Sequence, residues 1–444
     1  MKLGHLRALP ACLGLLLFGT SFAATQGPPF PRFAVSWVNN ENYQDPTLQA
    51  KTAQTDVATL VTWPGWQNGR GTTLQQVVQN IKAASPNTLV FEYIKNNEID
   101  GTIATNAVYS DLFNKLGAMS WYLYASGTSG SPLAAAWPGA TELNNTLFTP
   151  VDSNGDDWIS WFSKWAIAQY YVPNPALDGF NEDNVFATPR VSGDYNRDGV
   201  TDSTTTAAPW VRQGDAKFFQ LMHQRMPGKY QIGNIADWGN PSSTLTEYVG
   251  QLDGGILEGM IGYSWSVETW GGWQMMMAWY RKTMAALGGP KIAIFAQVGD
   301  PTDYQSFRYG FASCFLDDGY FQFDSTVTSD PYANRPWFDE YDYRGKLGAP
   351  TSAPPTVAWQ KGVYRRDYAN GIVLVNPKGN GPQTVQLETT YQRISGTQAP
   401  AVNSGQTVQT LTLQDRDGIM LMRVNAAASA PAKVPNPPST IEVH

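Results

Sequence analysis

Residues 176–185 read Ala-Leu-Asp-Gly-Phe-Asn-Glu-Asp-Asn-Val. A short apolar approach ends in Asn181, Glu182 and Asp183, whose side chains are costly to bury without hydrogen-bonding partners. Such a strand end suits the rim of a cleft, because there the same side chains can bind a polar ligand or move protons. Whether the chain contains further strands of this kind decides which fold it adopts.

Strand-like apolar runs recur along the chain and alternate with helical patterns. Apolar residues within 74–81 recur at helical spacing, and a second helical pattern over Gln274–Leu287 ends in Gly288-Gly289-Pro290, a strong stop signal. The eight predicted strands are Phe33–Val38, Val57–Thr62, Thr88–Ile94, Ala176–Asn181, Tyr230–Ile235, Gly255–Ile261, Lys291–Gln297 and Gly319–Phe323. This alternation predicts an α/β fold with a parallel sheet, and eight units predict a (β/α)8 TIM barrel. A ninth run, Met119–Tyr124, is assigned to an excursion that continues through Ala125–Asn145.

The two ends of the chain differ in composition from the part between them. Residues 1–23 have a basic start, an apolar stretch too short to span a bilayer and a small-residue site at Ser21-Phe22-Ala23, which is typical of a secretory signal peptide. The Ala- and Pro-rich residues 426–444 are predicted to be disordered. We therefore predict a secreted or periplasmic protein with no transmembrane segment.

The pattern of the chain changes after the predicted barrel. A linker at residues 351–355 is followed by short strand-like runs with turns such as Asn370-Gly371 and Asp417-Gly418. These runs are Gly362–Arg365, Gly371–Val375, Thr384–Leu387, Thr407–Leu413 and Ile419–Arg423. No helical period competes with them. Residues 24–350 are therefore assigned to the barrel, and residues 351–425 to a small C-terminal all-β sandwich domain.

The composition narrows the chemistry that the protein can perform. With 15% charged, 42% hydrophobic and 13% aromatic residues, the chain is predicted to be globular. A net charge of -7 and a pI of about 5.1 argue against a nucleic-acid partner, which would require a basic surface. Without the signal peptide, Cys314 is the only cysteine and His223 and His444 are the only histidines. That set does not supply the usual zinc ligands or a histidine-activated nucleophile, so carboxylates must carry any catalysis.

Several acids fall at or near the predicted carboxyl ends of the strands, where TIM-barrel active sites lie. They are Glu92, Asp183, Asp237, Glu258, Asp300 and Asp317-Asp318. Cleavage of a glycosidic bond needs two carboxyl groups, and our candidate catalytic pair is Asp183 and Glu258. The alternative for either acid is a salt bridge to a basic residue of the barrel. Glu182 is the rival of Asp183, although strand alternation puts it on the opposite face from Asn181 and Asp183.

Polar and aromatic residues near the same strand ends are candidates for substrate binding. The polar candidates are Glu92, Asn181, Glu182 and Asp237, which could hydrogen-bond sugar hydroxyls. The aromatic candidates are Trp63, Tyr93, Trp238, Tyr263 and Trp265, whose rings could stack on sugar faces. The alternative for each aromatic residue is ordinary packing in the core.

Residues 194–202 match the start of a calcium-binding loop. Oxygen-bearing side chains stand at the first, third and fifth positions, a glycine at the sixth, and a backbone carbonyl at the seventh. The predicted ligands are Asp194, Asn196, Asp198, Val200 and Asp202. The usual acidic twelfth residue is replaced by Thr205, and a turn stabilised by Asp and Asn side chains is the alternative. No other cofactor is predicted.

Six stretches of the chain carry a resemblance to a known family. They are D-G-F-N-E-D-N-V (178–185), D-Y-N-R-D-G-V-T-D-S (194–203), D-G-G-I-L-E-G-M-I-G-Y-S-W-S-V-E-T-W (253–270), F-L-D-D-G-Y-F (315–321), W-F-D-E-Y-D (337–342) and V-L-V-N-P (373–377). With these motifs the chain resembles the hypothetical glycosyl hydrolase family 15 and, more loosely, other (β/α)8 glycosidases. The resemblance implies Asp183 and Glu258 as the catalytic carboxyls. Asn181 and Glu182 depart from the family pattern, which usually has apolar residues before the aspartate.

The residues and the resemblance together predict a secreted glycoside hydrolase that acts on a polysaccharide or glycan through two carboxylates. One alternative is a catalytically inactive barrel that only binds polysaccharide. Another is a polysaccharide lyase, which would need basic residues gathered around a uronic acid.

Overall fold

The computed structural model describes most of the chain between the two predicted terminal segments. The described residues are 27–37, 42–61, 72–105, 107–128, 130–240, 242–326 and 335–424. The predicted signal peptide (1–23), the predicted tail (426–444) and Trp63 lie outside the described residues. Among the helices within the described ranges, none is long and apolar enough to cross a membrane.

Eight parallel strands form the central sheet, and their order in the sheet follows their order in the chain. They are β1 (Ala34–Trp37), β2 (Val57–Leu60), β3 (Leu89–Ile94), β6 (Gly179–Glu182), β7 (Tyr230–Asn234), β8 (Gly254–Ile261), β9 (Ile292–Gly299) and β10 (Tyr320–Ser325). Each of the eight predicted strands corresponds to one of them. The predicted (β/α)8 architecture is therefore confirmed.

Contacts between β1 and β10 nearly close the sheet into a barrel. The backbone N–H of Phe321 donates to the Arg32 carbonyl at 3.0 Å, and Phe33 forms a parallel bridge with Phe321. The Ser36 hydroxyl lies 3.0 Å from Gln322 Oε1 one layer higher. Apolar side chains fill the barrel below this level, among them Phe91 and Ile256. The polar side chains of the inner face are thereby confined to the carboxyl ends of the strands.

Helices cover the outside of the barrel. They are α1 (Pro46–Ala53), α2 (Leu74–Ala84), α3 (Ser110–Met119), α4 (Trp158–Ala166), α5 (Thr204–Arg225), α6 (Val267–Ala286) and α7 (Tyr304–Phe315). In α2, the buried residues are the predicted apolar face, and the Thr73 hydroxyl caps the helix by accepting the N–H of Gln76. Helix α6 begins seven residues before its predicted start and is interrupted at Gly272, whose φ of 77° is not helical.

A long insertion separates β3 from β6, and part of it, including Glu98 and Trp137, lies at the barrel mouth. It contains α3, α4 and a two-stranded antiparallel sheet, in which β4 (Glu98–Asp100) pairs with β5 (Ala140–Glu142). The ninth strand-like run forms no barrel strand, since Tyr122 makes only an isolated bridge with Leu143. This run belongs to the insertion, in agreement with its predicted assignment to an excursion from the barrel.

Five antiparallel strands form the C-terminal domain. They are β11 (Tyr364–Tyr368), β12 (Gly371–Asn376), β13 (Gln383–Arg393), β14 (Thr407–Leu413) and β15 (Asp417–Arg423), in the order β11-β12-β15-β13-β14. The all-β character is as predicted, but the strands form one continuous hydrogen-bonded sheet instead of the two sheets of a sandwich. Part of the second layer is the barrel helix α7, because Gly418 packs so closely that an added Cβ would lie 2.5 Å from Ala312 Cβ.

A buried ion pair joins the two domains. Arg308 of α7 lies 3.1 Å from Asp417 of β15, and each side chain is only 7% exposed. Removal of one buried partner leaves the other charge without compensation.

We predict that Asp417→Asn lowers the free energy of unfolding by about 3 to 5 kcal/mol, because Arg308 stays buried without its counter-charge. Equilibrium denaturation measures the change. Lys164→Gln is the control, since Lys164 pairs with Asp156 but is 52% exposed, and its loss should change the free energy by less than about 1 kcal/mol. Equal effects of the two substitutions would contradict the structural role of the pair.

Candidate active site

A cleft of about 220 Å³ opens at the carboxyl ends of the barrel strands. Side chains from six barrel strands and their loops line it, together with the insertion. They are Ser36, Tyr93, Lys95, Glu98, Trp137, Asn181, Asp183, Asn184, Arg190, Asn234, Ile256, Glu258, Gln322 and Asp324. The two predicted catalytic carboxyls, Asp183 and Glu258, are both in this set.

Asp183 directly follows β6 and is surrounded by donors. The Tyr93 hydroxyl donates to Oδ2 at 2.5 Å, and Asn234 Nδ2 donates to Oδ1 at 3.1 Å. Lys95 Nζ lies 3.9 Å from Oδ2. Burial raises the pKa of Tyr93 well above its usual value, and the charge of Asp183 raises it further, so the phenol keeps its proton and donates. Two hydrogen-bond donors and one cation thus surround the Asp183 carboxyl group.

Glu258 reaches the cleft through a distortion of β8. The pairing of β8 with β9 shifts register between Leu257 and Ile261, so that the strand is bulged around Glu258. Gly259 has a φ of 74°, and an added Cβ would lie 1.9 Å from the ring of Trp265. Only glycine fits here without displacing that ring. The bulge thus places Glu258 partly exposed in the cleft, and the ring of Trp265 packs against the following residue, Gly259.

One amide connects the two acids. Asn234, the last residue of β7, donates through Nδ2 to Asp183 Oδ1 at 3.1 Å and to Glu258 Oε2 at 3.0 Å. Because both oxygens lie within hydrogen-bonding distance of one nitrogen, they are no more than about 6 Å apart. The structure therefore holds the two carboxyls at a short and fixed separation.

Glu182 and Glu92 do not line the cleft, and their prediction as substrate-binding residues is corrected. Glu182 is buried on the outer side of the barrel, where it accepts the backbone N–H of Asn96. Burial raises its pKa well above the usual value, and the charge of Asp215 on α5 raises it further. Glu92 is fully buried on the opposite face of β3 from Tyr93. Strand alternation turns both glutamates toward the helices.

Asp237 and Trp238 also differ from the prediction. Trp238 is fully buried, donates through Nε1 to the Val185 carbonyl at 2.8 Å and stacks on Tyr248 with ring centroids 4.6 Å apart. Both carboxylate oxygens of Asp237 accept the N–H of Ala187 at 3.0 Å, and burial raises its pKa to about 6. Neither residue lines the cleft. Their contacts hold the loop that follows β6.

Of the remaining substrate-binding candidates, Asn181 lines the cleft, whereas Tyr263 and Trp265 are not among its lining residues and stay a prediction. Asn181 lines the cleft and donates to the Thr59 hydroxyl at 3.1 Å. Tyr263 and Trp265 stack on each other, with centroids 4.6 Å apart and planes 9° apart. Trp265 is 51% exposed, so part of its ring is accessible to solvent.

The family model that matches the chain covers this site. The model of the hypothetical glycosyl hydrolase family 15 matches residues 137–372, more than half of the chain, and includes Asp183, Asn234 and Glu258. The chain belongs to this family. No curated protein matches its sequence.

Solved structures similar to this family 15 member include several glycoside hydrolases. Amy13B of Eubacterium rectale matches over 90% of this chain and 97% of its own, with 9% identity and a TM-score of 0.52. The glycoside hydrolase domain of PelA from Pseudomonas aeruginosa matches over 68% and 96%, with 15% identity and a TM-score of 0.41. A GH30 endoxylanase from Clostridium papyrosolvens C71 matches over 90% and 99%, with 9% identity and a TM-score of 0.43. At these identities, the likeness to Amy13B supports the barrel fold alone.

Two polar residues of β10 line the cleft but were not predicted from the sequence as site residues. Gln322 and Asp324 line the cleft, and Asp324 forms a buried ion pair with Arg335. Strand β10 ends two residues later than predicted, and alternation from Tyr320, which lies in the barrel interior, would have put both residues on the inner face.

The other acidic residues that were predicted to lie at the carboxyl ends of the strands are outside the cleft. Asp317 and Asp318 precede β10 and pair with Arg281 at 2.9 Å and Arg366 at 2.6 Å. They therefore belong to the opposite end of the barrel, where the salt-bridge alternative holds. Asp300 is exposed in the turn after β9, where its carboxylate accepts the N–H and the hydroxyl of Thr302.

Lys95, Asn234 and Trp137 are further cleft residues that the sequence prediction missed. Asn234 shares a strand face with Ile232 of the barrel interior, so alternation was a usable signal. Lys95 directly follows β3, but a search for acids passes over it. Trp137 lies in the insertion, where no strand or helix period indicates its position, and it is 65% exposed.

The predicted calcium loop is held by hydrogen bonds to its own backbone. Asp194 accepts the N–H groups of Asp198 and Gly199, and Asp202 accepts the N–H of Tyr195. Within the described parts of the chain, no group of three or more His, Cys, Asp or Glu side chains is arranged to hold a metal ion. The calcium ligands Asp194, Asn196, Asp198, Val200 and Asp202 stay a prediction.

Two glutamates of the insertion face each other beside the cleft. Glu98 pairs directly with Glu142 across the β4–β5 ladder, and both side chains are buried. Lys95 Nζ lies 2.7 Å from Glu98 and compensates its charge. Burial raises the pKa of Glu142 to about 8, and the charge of Glu98 contributes to the increase. Glu142 is therefore mostly protonated at neutral pH.

We predict that the unmodified protein loses stability at alkaline pH and that the Glu142→Gln variant does not show this loss. The raised pKa means that Glu142 stabilises the fold most below its unfolded pKa, and that this contribution disappears as the pH rises through about 8. Relative to the unmodified protein, the variant should gain on the order of 1 to 3 kcal/mol between about pH 4.5 and about pH 8.5. Equilibrium unfolding at both pH values measures the gain, and a difference that does not change with pH would contradict the assignment.

Proposed function

We propose that this protein is a secreted glycoside hydrolase that cleaves a polysaccharide or glycan with Asp183 and Glu258. The observation that carries the proposal is the amide of Asn234, which donates to both carboxyls at 3.1 and 3.0 Å within one cleft. Membership in the hypothetical glycosyl hydrolase family 15 supports the reaction class. The predicted signal peptide supports secretion.

The separation of the two carboxyls favours a retaining mechanism. Retaining glycosidases hold their two carboxyl groups about 5 to 5.5 Å apart, whereas inverting enzymes separate them by about 6.5 to 9.5 Å to admit a water molecule. The oxygens that share the Asn234 amide are no more than about 6 Å apart. We therefore propose a covalent glycosyl-enzyme intermediate.

From the surroundings of the two acids we infer that Asp183 is the nucleophile and Glu258 the general acid and base. Asp183 accepts hydrogen bonds from Tyr93 and Asn234, which stabilise a carboxylate that can attack the anomeric carbon. As the C–O bond to Asp183 forms, the glycosidic C–O bond breaks and Glu258 gives its proton to the leaving oxygen. Glu258 then takes a proton from water, which attacks the same carbon and releases Asp183.

Exposed aromatic rings beside the acids support a carbohydrate ligand. Trp265 packs against Gly259, the residue after Glu258, and stacks on Tyr263, while Trp137 of the insertion lines the cleft. Rings that are partly exposed can cover the apolar faces of sugars while hydroxyls bind the polar floor formed by Asn181, Gln322 and Asp324. Rings at the cleft rim thus suit a glycan.

We predict that Asp183→Asn and Glu258→Gln each lower turnover by about 10³-fold or more, because each removes one of the two groups that make and break bonds. Release of reducing ends from a panel of bacterial, fungal and plant polysaccharides measures turnover. Asp300→Asn is the matched control, since this acid also follows a barrel strand but lies outside the cleft. Binding of a glycan without release by the unmodified protein would support the inactive polysaccharide-binding barrel instead.

Proton NMR of the first product formed tests the mechanism directly. We expect the anomeric configuration of the substrate to be kept, since two inversions at one carbon restore it. Appearance of the opposite anomer before mutarotation would exclude Asp183 as the nucleophile.

We predict that Asn234→Ala lowers kcat by about 10²-fold, because the shared amide fixes the positions of both carboxyls. The pH profile of kcat/KM should also shift, since each acid loses a donor. Asn240→Ala, on the loop that follows β7, is the control for general effects of asparagine loss. A variant with reduced kcat but an unchanged pH profile would show that Asn234 only supports the fold.

A further inference from the structure

A second cavity adjoins the cleft, with a volume of about 140 Å³. It lies between the end of β3, the paired strands β4 and β5, and the helices α3 and α4 of the insertion. Most of its lining is apolar and buried, and includes Ile94, Ile99, Tyr109, Leu112, Phe162 and Trp165. We call this cavity the side chamber.

The side chamber and the cleft share part of their walls. Tyr93, Lys95, Glu98 and Trp137 line both. Tyr93 donates to Asp183 at 2.5 Å, so the side chamber begins one side chain away from the proposed nucleophile. A group in the side chamber can therefore be attached to a sugar whose reacting carbon lies at Asp183.

The lining of the side chamber selects the chemistry of its occupant. A sugar ring carries hydroxyls on most of its carbons, and burial of a hydroxyl without a hydrogen bond costs at least about 1 kcal/mol. The apolar walls supply few partners, since the Tyr109 and Tyr170 hydroxyls are 2.9 Å apart and bond to each other. The volume is close to that of an apolar cavity of about 150 Å³ that holds one benzene ring. The side chamber thus suits a small apolar group and excludes a further sugar unit.

The mouth of the side chamber is polar, in contrast to its interior. Lys95 forms its ion pair with Glu98 there and is 24% exposed. An ammonium at this position can donate to the carbonyl or ether oxygen that links an apolar group to a sugar. The linking atom would then lie at the mouth and the apolar part would lie inside.

We propose that the side chamber binds a small apolar substituent carried by the sugar in the cleft. This inference rests on the proposed glycosidase function. The substituent is either an acyl group on a sugar of the polymer or an aryl group attached through the glycosidic oxygen. In both cases, binding of the substituent in the side chamber would determine which substrates the protein prefers.

Ile103→Trp tests the proposal by filling the side chamber from a half-buried position on its wall. The substrates are the glycan that the protein cleaves, the same glycan after chemical deacylation, and a phenyl glycoside of its sugar. We expect the unmodified protein to prefer one apolar-substituted substrate by about tenfold in kcat/KM, and the variant to lose that preference while it cleaves the deacylated glycan normally. Preference for the acylated glycan identifies the acyl source, and preference for the phenyl glycoside identifies the aryl source.

Binding of phenol, measured by saturation-transfer NMR, provides a readout that needs no catalysis. Phenol should bind the unmodified protein and should be excluded from Ile103→Trp and from a second filling variant, Ala140→Leu. Val151→Trp is the matched control, because Val151 is exposed in the same insertion and does not line the side chamber.

The outcomes separate the two proposals. If no glycan is cleaved but phenol binding is lost in both filling variants, the side chamber binds apolar groups and the glycosidase function is wrong. If filled and unfilled proteins show equal substrate preference and equal phenol binding, the role of the side chamber is overturned.

Discussion

The near closure of the barrel between β1 and β10 is the constraint on which the site depends. A hydrogen bond from the Phe321 N–H to the Arg32 carbonyl and the bridge at Phe33 curve eight strands around one mouth. Without this curvature, β6 and β10 would stand at distant positions of an open sheet. Closure instead brings Asp183, Glu258 and Asp324 to the lining of one cleft. Apolar packing fills the barrel below, so the polar groups collect at its upper end.

Within that mouth, backbone geometry decides which carboxylates can act. Asp183 and Glu182 are neighbours in sequence, yet one lines the cleft and the other is buried against Asp215. Glu258 depends on a bulge that only Gly259 permits. Asn234 then joins Asp183 and Glu258 from a third strand. The catalytic proposal thus draws on three adjacent strands, and none of them supplies the arrangement alone.

The positions of the strands could be predicted from the sequence more completely than which of their side chains point into the barrel. All eight barrel strands could be recognised because each is a short apolar run between helical patterns. The same property hides the inner face, since a barrel strand such as β3 is buried on both sides and its pattern does not distinguish Glu92 from Tyr93. Asp324 was missed because the end of its strand was predicted two residues early. The shared amide of Asn234 depends on distances between strands, which no local pattern contains.

The insertion between β3 and β6 gives the protein two parts that can change independently. Asp183, Asn234 and Glu258 belong to the barrel, whereas Trp137 and Glu98 come from a segment that adds no strand to the barrel sheet. Changes in that segment can therefore alter which ligands fit without moving the carboxyls. Relatives with the same acids but different insertions would then be expected to act on different glycans, and exchange of the insertion offers a route to new activities on an unchanged barrel.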